Sequence, residues 1–336
     1  MNTDKERNDM NPRTSKKTLR AALSLALLIG VILFTLADRY LIEHVEIADA
    51  SAYVETVAAQ TLPAVTPSAT PSVANAVFSP AQAGSTSAGD WNYHSDTFSI
   101  AIRQVTIGSG SNRVTYFVAD VVIADAVQLR SAFAENSFGR NIIANTSEIA
   151  RQNEAVFAIN GDYYGFRGDG IIIRNGVIYR DEPARTGLAF YQDGTMRIYD
   201  ETQTSAQELL NAGVWNTLSF GPALVENGAV VSNSSRVSVD SNIGNHSIQG
   251  NNPRTGVGMI SANHFVFIVV DGRSKGYSRG VSLEEFAQIF EELGCTDAYN
   301  LDGGGSSTMV FQGQVVNNPL GKNRERGTSD ILFIGS

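Results

Sequence analysis

The sequence predicts an α+β fold: mainly antiparallel β-sheet with a few helices packed on it, in one globular domain behind an N-terminal transmembrane helix. Three observations predict it. Short apolar runs are joined by Asn-Gly and Asp-Gly pairs, one strongly amphipathic helix lies near the C-terminus, and a charge-free apolar run lies near the N-terminus.

The elements follow in chain order. Residues 1–20 form a basic tail, with six Lys and Arg against three Asp and Glu. Ala21 to Ala37 carries no charge over its 17 positions, enough to span a bilayer at the short end of the usual range. Basic residues on its N-terminal side predict that end in the cytoplasm and the rest outside. Ala48-Asp49-Ala50 has the small-x-small form of a cleavage site. It lies well beyond the apolar run, so an uncleaved signal anchor in the cell membrane is expected rather than a cleaved peptide. Residues 38–90 read as a linker, rich in Ala, Ser, Thr and Pro from about residue 51, with a short helix allowed over 41–55.

The domain is expected over 91–336. Phe98 to Val105 and Val114 to Ile123 read as strands, with Asn112-Arg113 near the turn between them. Ala155 to Ile159 is short and wholly apolar, which implies burial on both faces. Asn175-Gly176, Asp193-Gly194 and Asn227-Gly228 each sit between apolar runs and predict hairpins. Val257 to Ile260 and Phe265 to Val270 form a further strand pair. Ser282 to Leu293 is the best helix: Ser282 with Glu285 makes a capping box, Phe286, Ile289 and Phe290 make an apolar face, and Gly294 ends it. Residues 145–153 and 203–212 are fainter helical patterns.

Composition narrows the function. The 336 residues hold 25 Lys and Arg against 34 Asp and Glu, a net charge of -9, with 43% hydrophobic residues. That is globular, not disordered. The tail is +3, so the rest carries -12, which argues against a nucleic-acid-binding face. The single Cys295 excludes a disulfide framework, and His44, His94, His246 and His264 make no zinc-type pair.

Four stretches carry the chemistry. Asn160-Gly161-Asp162, followed by two tyrosines, ends the apolar 155–159 strand; it serves as a site or simply as a turn. Arg254-Thr255 opens another strand, where a guanidinium suits a phosphate, a carboxylate or an internal ion pair. Asp271 enters a glycine-rich basic loop with Arg273, Lys275, Ser278 and Arg279, which feeds the 282–293 helix and its anion-favouring N-terminus. Asn300-Leu301-Asp302-Gly303-Gly304-Gly305-Ser306-Ser307-Thr308 is the sharpest signal. Its glycines permit positive φ and close ligand approach, its amides suit an anion nest, and its hydroxyls add donors. It lacks the Gly-Lys-Ser/Thr of a P-loop and the Gly-x-Ser-x-Gly of a nucleophile elbow. The residues alone describe an extracytoplasmic hydrolase or a binding module for an anionic small molecule or glycan.

In combination and order these motifs resemble the phosphodiester glycosidase family. Its matching pieces are Pro253 to Gly258, Val270 to Arg273, Ser278 to Gly280, the helix 282–293, Asn300 to Thr308, Glu325-Arg326, and Ile159-Asn160-Gly161 before the aromatics. The resemblance implies hydrolysis of the glycosidic C–O bond of a sugar-1-phosphodiester, giving free sugar and a phosphomonoester. It implies Arg254, Arg279 and the Gly303–Ser307 loop on the phosphate, Asp302 or Asp271 as base or nucleophile, and Asn160 on the sugar. Gly161, Asp162, Thr255, Arg273, Ser278, Asn300 and Arg326 complete the implied site. A divalent cation, calcium or magnesium, is allowed near the aspartates but not required. A surface anchor points to a cell-wall or exopolysaccharide glycan as substrate. A non-catalytic glycan-binding module and a phosphodiesterase cutting the P–O bond are the alternatives.

Overall fold

The computed structural model describes residues 12–61, 91–232 and 248–335. The chain divides into two units, Met1–His44 and Val45–Ser336.

The first unit is built on one helix, Pro12–Tyr40. Within it Leu19–Arg39 forms a stretch of 21 residues with mean hydropathy 2.3, none of it buried against protein. A helix satisfies its own backbone hydrogen bonds, so the length and composition of this stretch suit one membrane crossing.

In the second unit, two antiparallel sheets lie face to face. The larger has eight strands, in the spatial order 229–230, 223–226, 297–301, 254–261, 264–270, 114–123, 98–107 and 91–94. The smaller has five: 314–315, 309–311, 155–160, 330–335 and 130–133. Their inner faces share one core, in which Phe157 of the smaller sheet meets Phe267 of the larger at 5.3 Å between ring centroids. Strand 155–160 is central in its sheet, paired on both sides, which is why its sequence runs apolar without alternation.

Helices close the outer faces. Leu283–Glu292 covers the larger sheet, burying Leu283, Phe286, Ala287, Ile289 and Phe290. Burying each phenylalanine contributes about 1.5–3 kcal/mol. Its capping box forms as the sequence predicts. Thr146–Gln152 covers the smaller sheet, where Ile149 and Ala150 join its outer core. A third sheet (186–191, 196–200, 214–218), the hairpin 170–174/177–182 and the helix Ala206–Asn211 stand beside the sandwich. The Asn175-Gly176 and Asn227-Gly228 hairpins form, with positive φ at all four residues as that turn requires.

The stretch expected as a linker over 38–90 divides. The helix Ala50–Thr61 is docked on the domain: Ala50 is buried with Phe133, Phe138, Tyr164 and Ile172. Asn136 holds the segment through Asp49, and Tyr53 donates to the Ile178 carbonyl. Residues 62–90 lie outside the described residues. The compact unit therefore includes chain well before residue 91, because Ala50 and Tyr53 find an aromatic cluster that no local pattern announces.

Candidate active site

The chain enters the site from the ends of core strands. Asn160 ends the central strand of the smaller sheet and is wholly buried. Its Nδ2 donates to the Asp302 carbonyl at 2.7 Å, and its Oδ1 accepts from Thr255 Oγ1 at 2.7 Å and from the Thr308 amide at 3.2 Å. One carboxamide thus ties together three of the four motif stretches. Its bonds are spent inside the protein, so it positions the Asp302 backbone.

Asp302 follows the strand Asp297–Leu301 and is 6% exposed. The Gly303 amide donates to its Oδ1 at 2.9 Å, and Arg326 Nη2 reaches its Oδ2 at 3.3 Å. Burial pushes this carboxyl above the usual carboxylate range; Arg326, the Ser306 hydroxyl, the Gly303 amide and Arg167 pull the other way. Arg326 also donates to Ser306 Oγ from Nη2 at 2.8 Å and from Nε at 3.1 Å, and to the Gly303 carbonyl at 3.2 Å. Its side chain is 51% exposed, so it bridges the loop and still faces solvent. Glu325 anchors the arginine's loop by accepting from the amide and hydroxyl of Ser147.

The glycine loop is shaped for close approach. Gly304 has φ +65, and its Cα faces the Arg273 guanidinium so that an added Cβ would lie 3.5 Å from it. At Gly303 an added Cβ would come within 2.8 Å of the Pro253 carbonyl. Several loop amides are already taken: Gly303 by Asp302, Gly304 by the Pro253 carbonyl, and Ser306 by the Gly303 carbonyl. Cations beside the loop add to its positive field. Arg273 donates to Asn252 Oδ1 at 2.8 Å and is close enough to Arg326 that, after burial, the second arginine's charge lowers its pKa. The Ser307 and Thr308 hydroxyls and Asn300 Oδ1 are buried without hydrogen-bond partners, while Asn300 Nδ2 donates to the Gly221 carbonyl.

Other residues that the sequence pointed to have their polar side chains committed inside the protein. Asp271 is 1% exposed and saturated: Asn317 Nδ2 donates to Oδ1 at 2.8 Å, while the Tyr277 hydroxyl and the Asn318 amide donate to Oδ2. Burial raises its pKa against those three bonds. Ser278 donates to the Asp271 carbonyl and closes the same loop. Arg254 spends its guanidinium on backbone carbonyls of Ile248, Gly250 and Val281. Burial, then Arg273, brings its pKa down to about 10. Arg279 is paired with Glu285 at 2.5 Å, so the helix N-terminus meets its own carboxylate. Gly161 must be glycine, because a Cβ there would strike Asp330.

Asp162 belongs to a buried ion cluster. It accepts from the Tyr163 and Ser219 amides and lies 3.8 Å from Arg174 and 3.9 Å from Arg167. Arg174 pairs with Asp330 at 2.8 Å. Asp330 is pushed up to about 6 by burial, opposed first by Arg174. Arg167, Arg174, Asp330, Tyr277 and Asn317 were not singled out from sequence. Only Arg167 carried a signal, as a cation in the glycine-rich 161–170 loop. Among the described residues no group of three or more His, Cys, Asp or Glu side chains comes together to hold a metal ion.

On this β-sandwich the buried carboxylate of Asp302 stands beside a glycine loop bordered by Arg326 and Arg273, an arrangement that suits an anionic ligand. The family model for phosphodiester glycosidases matches residues 153–335, more than half of the chain, and the chain belongs to that family. It is 32% identical over 204 residues to the SPbeta prophage-derived uncharacterized protein YomE of Bacillus subtilis, covering 59% of this chain and 30% of that protein. It is 25% identical over 182 residues to bovine N-acetylglucosamine-1-phosphodiester alpha-N-acetylglucosaminidase, covering 53% of this chain and 29% of that protein. The chain thus spans under a third of the length of these relatives. The zebrafish counterpart's catalytic domain, solved auto-inhibited by its pro-peptide, shares the fold with TM-score 0.57 and 21% identity, over 75% of this chain and 88% of that one. A hypothetical protein from Synechocystis shares it with TM-score 0.53 and 17% identity, over 70% and 62%.

Proposed function

We propose that this protein hydrolyses the glycosidic C–O bond of a sugar-1-phosphodiester, releasing the sugar and leaving a phosphomonoester. The observation that carries this is the pairing of Asp302 with Arg326 beside the Gly303–Ser307 loop, whose Gly304 faces Arg273. Family membership supports the same bond.

The chemistry follows from the groups present. The phosphate rests against Arg326 and Arg273, whose charges match its own and grow more favourable as the bond breaks. A phosphate leaves with its own negative charge and needs no strong general acid. That suits a site with one carboxylate whose counter-ion faces solvent rather than the flanking pair of ordinary glycosidases. Asp302, as carboxylate, serves the anomeric carbon as base or nucleophile. Asn160 fixes the Asp302 backbone, and the buried ion cluster fixes the turn beside it.

The apolar helix after a basic tail supports a membrane-anchored enzyme with the domain outside the cytoplasm, acting on a surface or wall glycan such as an exopolysaccharide. The test uses the full chain in detergent with a panel of sugar-1-phosphodiesters, UDP-N-acetylglucosamine included. Free reducing sugar supports the proposal. Sugar-1-phosphate as product would replace it with P–O cleavage, and binding without turnover would replace it with a glycan-binding module.

A further inference from the structure

We propose that Arg167, beside Asp162, Tyr163 and Phe220, reads the sugar half of the substrate as a specificity-determining residue. This rests on the reading that Arg326 and Arg273 take the phosphate.

Arg167 follows the tight turn Tyr164–Phe166, just after the Asn160-Gly161-Asp162 motif. Its side chain is 9% exposed. One nitrogen, Nη2, donates to the Ser219 carbonyl at 3.0 Å. Nε and Nη1 are buried with no hydrogen-bond partner. Its ion pair with Asp162 is loose, at 3.9 Å. Its neighbour Arg174 is better satisfied: Nε donates to Asp330, Nη1 donates to the carbonyls of Ile173 and Thr217, and Nη2, which makes no hydrogen bond, lies 2.8 Å from Asp330 Oδ2. A buried donor left unmade costs about 1–3 kcal/mol, so two of them on one arginine point to a partner that comes from outside.

The surroundings say what that partner is. The guanidinium carbon lies 5.2 Å from the Tyr163 ring centroid and 5.5 Å from that of Phe220. Tyr163 also stacks on Phe166 at 4.7 Å, and both rings are part-exposed. Aromatic faces suit the C–H face of a pyranose, and guanidinium N–H groups suit its hydroxyl or acetamido oxygens. The unpartnered Asn300 Oδ1, a few residues from Asp302, offers a complementary acceptor. Nε and Nη1 are closed to bulk water, so the sugar reaches them with a rotation of the part-exposed Tyr163 ring. The charge of Arg167 is felt by Asp302, as is that of Arg326. Asp302 thus has one exposed cation for the leaving group and one sheltered cation for the sugar.

The test is calorimetric and needs no turnover. The full chain in detergent is titrated with inorganic phosphate, glucose-1-phosphate and N-acetylglucosamine-1-phosphate. The wild type should bind at least one sugar phosphate tighter than phosphate alone. Arg167→Gln should weaken that sugar phosphate at least tenfold while phosphate affinity stays within twofold. If Arg167→Gln does not fold, Arg167→Lys, which keeps a charge opposite Asp162, is read with an expected loss of at least fivefold. The proposal is overturned if the sugar preference survives, if phosphate affinity falls in parallel, or if the wild type shows no preference. A chain that passes this test yet never releases free sugar would overturn the proposed reaction and leave the role of Arg167 standing.

Discussion

Asp302 and Asp271 begin alike: each follows an apolar strand, each is followed by glycine, and each is buried enough to raise its pKa. Their surroundings divide them. Asp271 accepts three hydrogen bonds from within the protein and lies 1% exposed. Asp302 has a neighbouring amide, a hydroxyl and one half-exposed arginine at 3.3 Å. A carboxylate whose partners are all internal holds two loops together. One whose main counter-ion faces solvent keeps that ion for a ligand. The arginines divide the same way: Arg254 and Arg279 are committed to carbonyls and to Glu285, while Arg326 and Arg273 border the opening.

The sharpest way to break this contrast is to remove each charge. Asp302→Asn should lower turnover by about 10³-fold, within the usual range for a catalytic acid–base group, with an unchanged melting temperature. Asp271→Asn should show the reverse pattern, a stability loss of about 1–3 kcal/mol from a donor now facing donors. Turnover measured at a temperature where the variant is folded should fall far less. Equal activity losses in the two variants would erase the distinction.

Arg326→Gln should lower kcat/KM by about 10²-fold. It should also move the acid limb of the pH profile. The active form is the carboxylate, so activity rises with pH through the raised pKa of Asp302. Arg326 favours the charged form, so its loss should shift that limb to higher pH. An unmoved limb would detach Arg326 from Asp302.

Smaller effects test the scaffold. Deleting residues 1–57 removes the Ala50 and Tyr53 contacts on the aromatic cluster around Tyr164, four residues past Asn160. It should lower the melting temperature relative to a chain beginning at residue 45, a loss of about 2 kcal/mol for the buried apolar area. The ion cluster sets the gentlest signal. The folded pKa of Asp330, about 6, lies above its ordinary 3.8. Its contribution to stability is therefore full at low pH and is lost as pH rises from about 4 through 6. Thermal melts across that window should show a decline that Asp330→Asn flattens.

Much of the fold is written locally. Asn175-Gly176 and Asn227-Gly228 fix hairpins through their own φ, and Ser282 with Glu285 fixes a helix start within four residues. The site is legible as a set of motifs for the same reason: Asn160, Asp302 and the glycine loop each end or follow an apolar strand. Which members do chemistry is not local. Asp271 is closed by Asn317, 46 residues away, and Arg174 is matched by Asp330, 156 residues away. Arg254 looked suited to an anion, yet its partners are backbone carbonyls, which leave no side-chain signature in the sequence. The helix 50–61 was legible only in part, as the short helix allowed over 41–55, because a sequence rich in Ala, Ser and Thr reads as linker until its few apolar side chains meet a surface.

The most direct test of the proposed bond cleavage runs the reaction in ¹⁸O-labelled water and weighs both products. Cleavage at the glycosidic C–O bond beside Asp302 places the label on the released sugar and none in the phosphomonoester. Label in the phosphate would mean that water attacked phosphorus, and the role given to Asp302 at the anomeric carbon would be wrong.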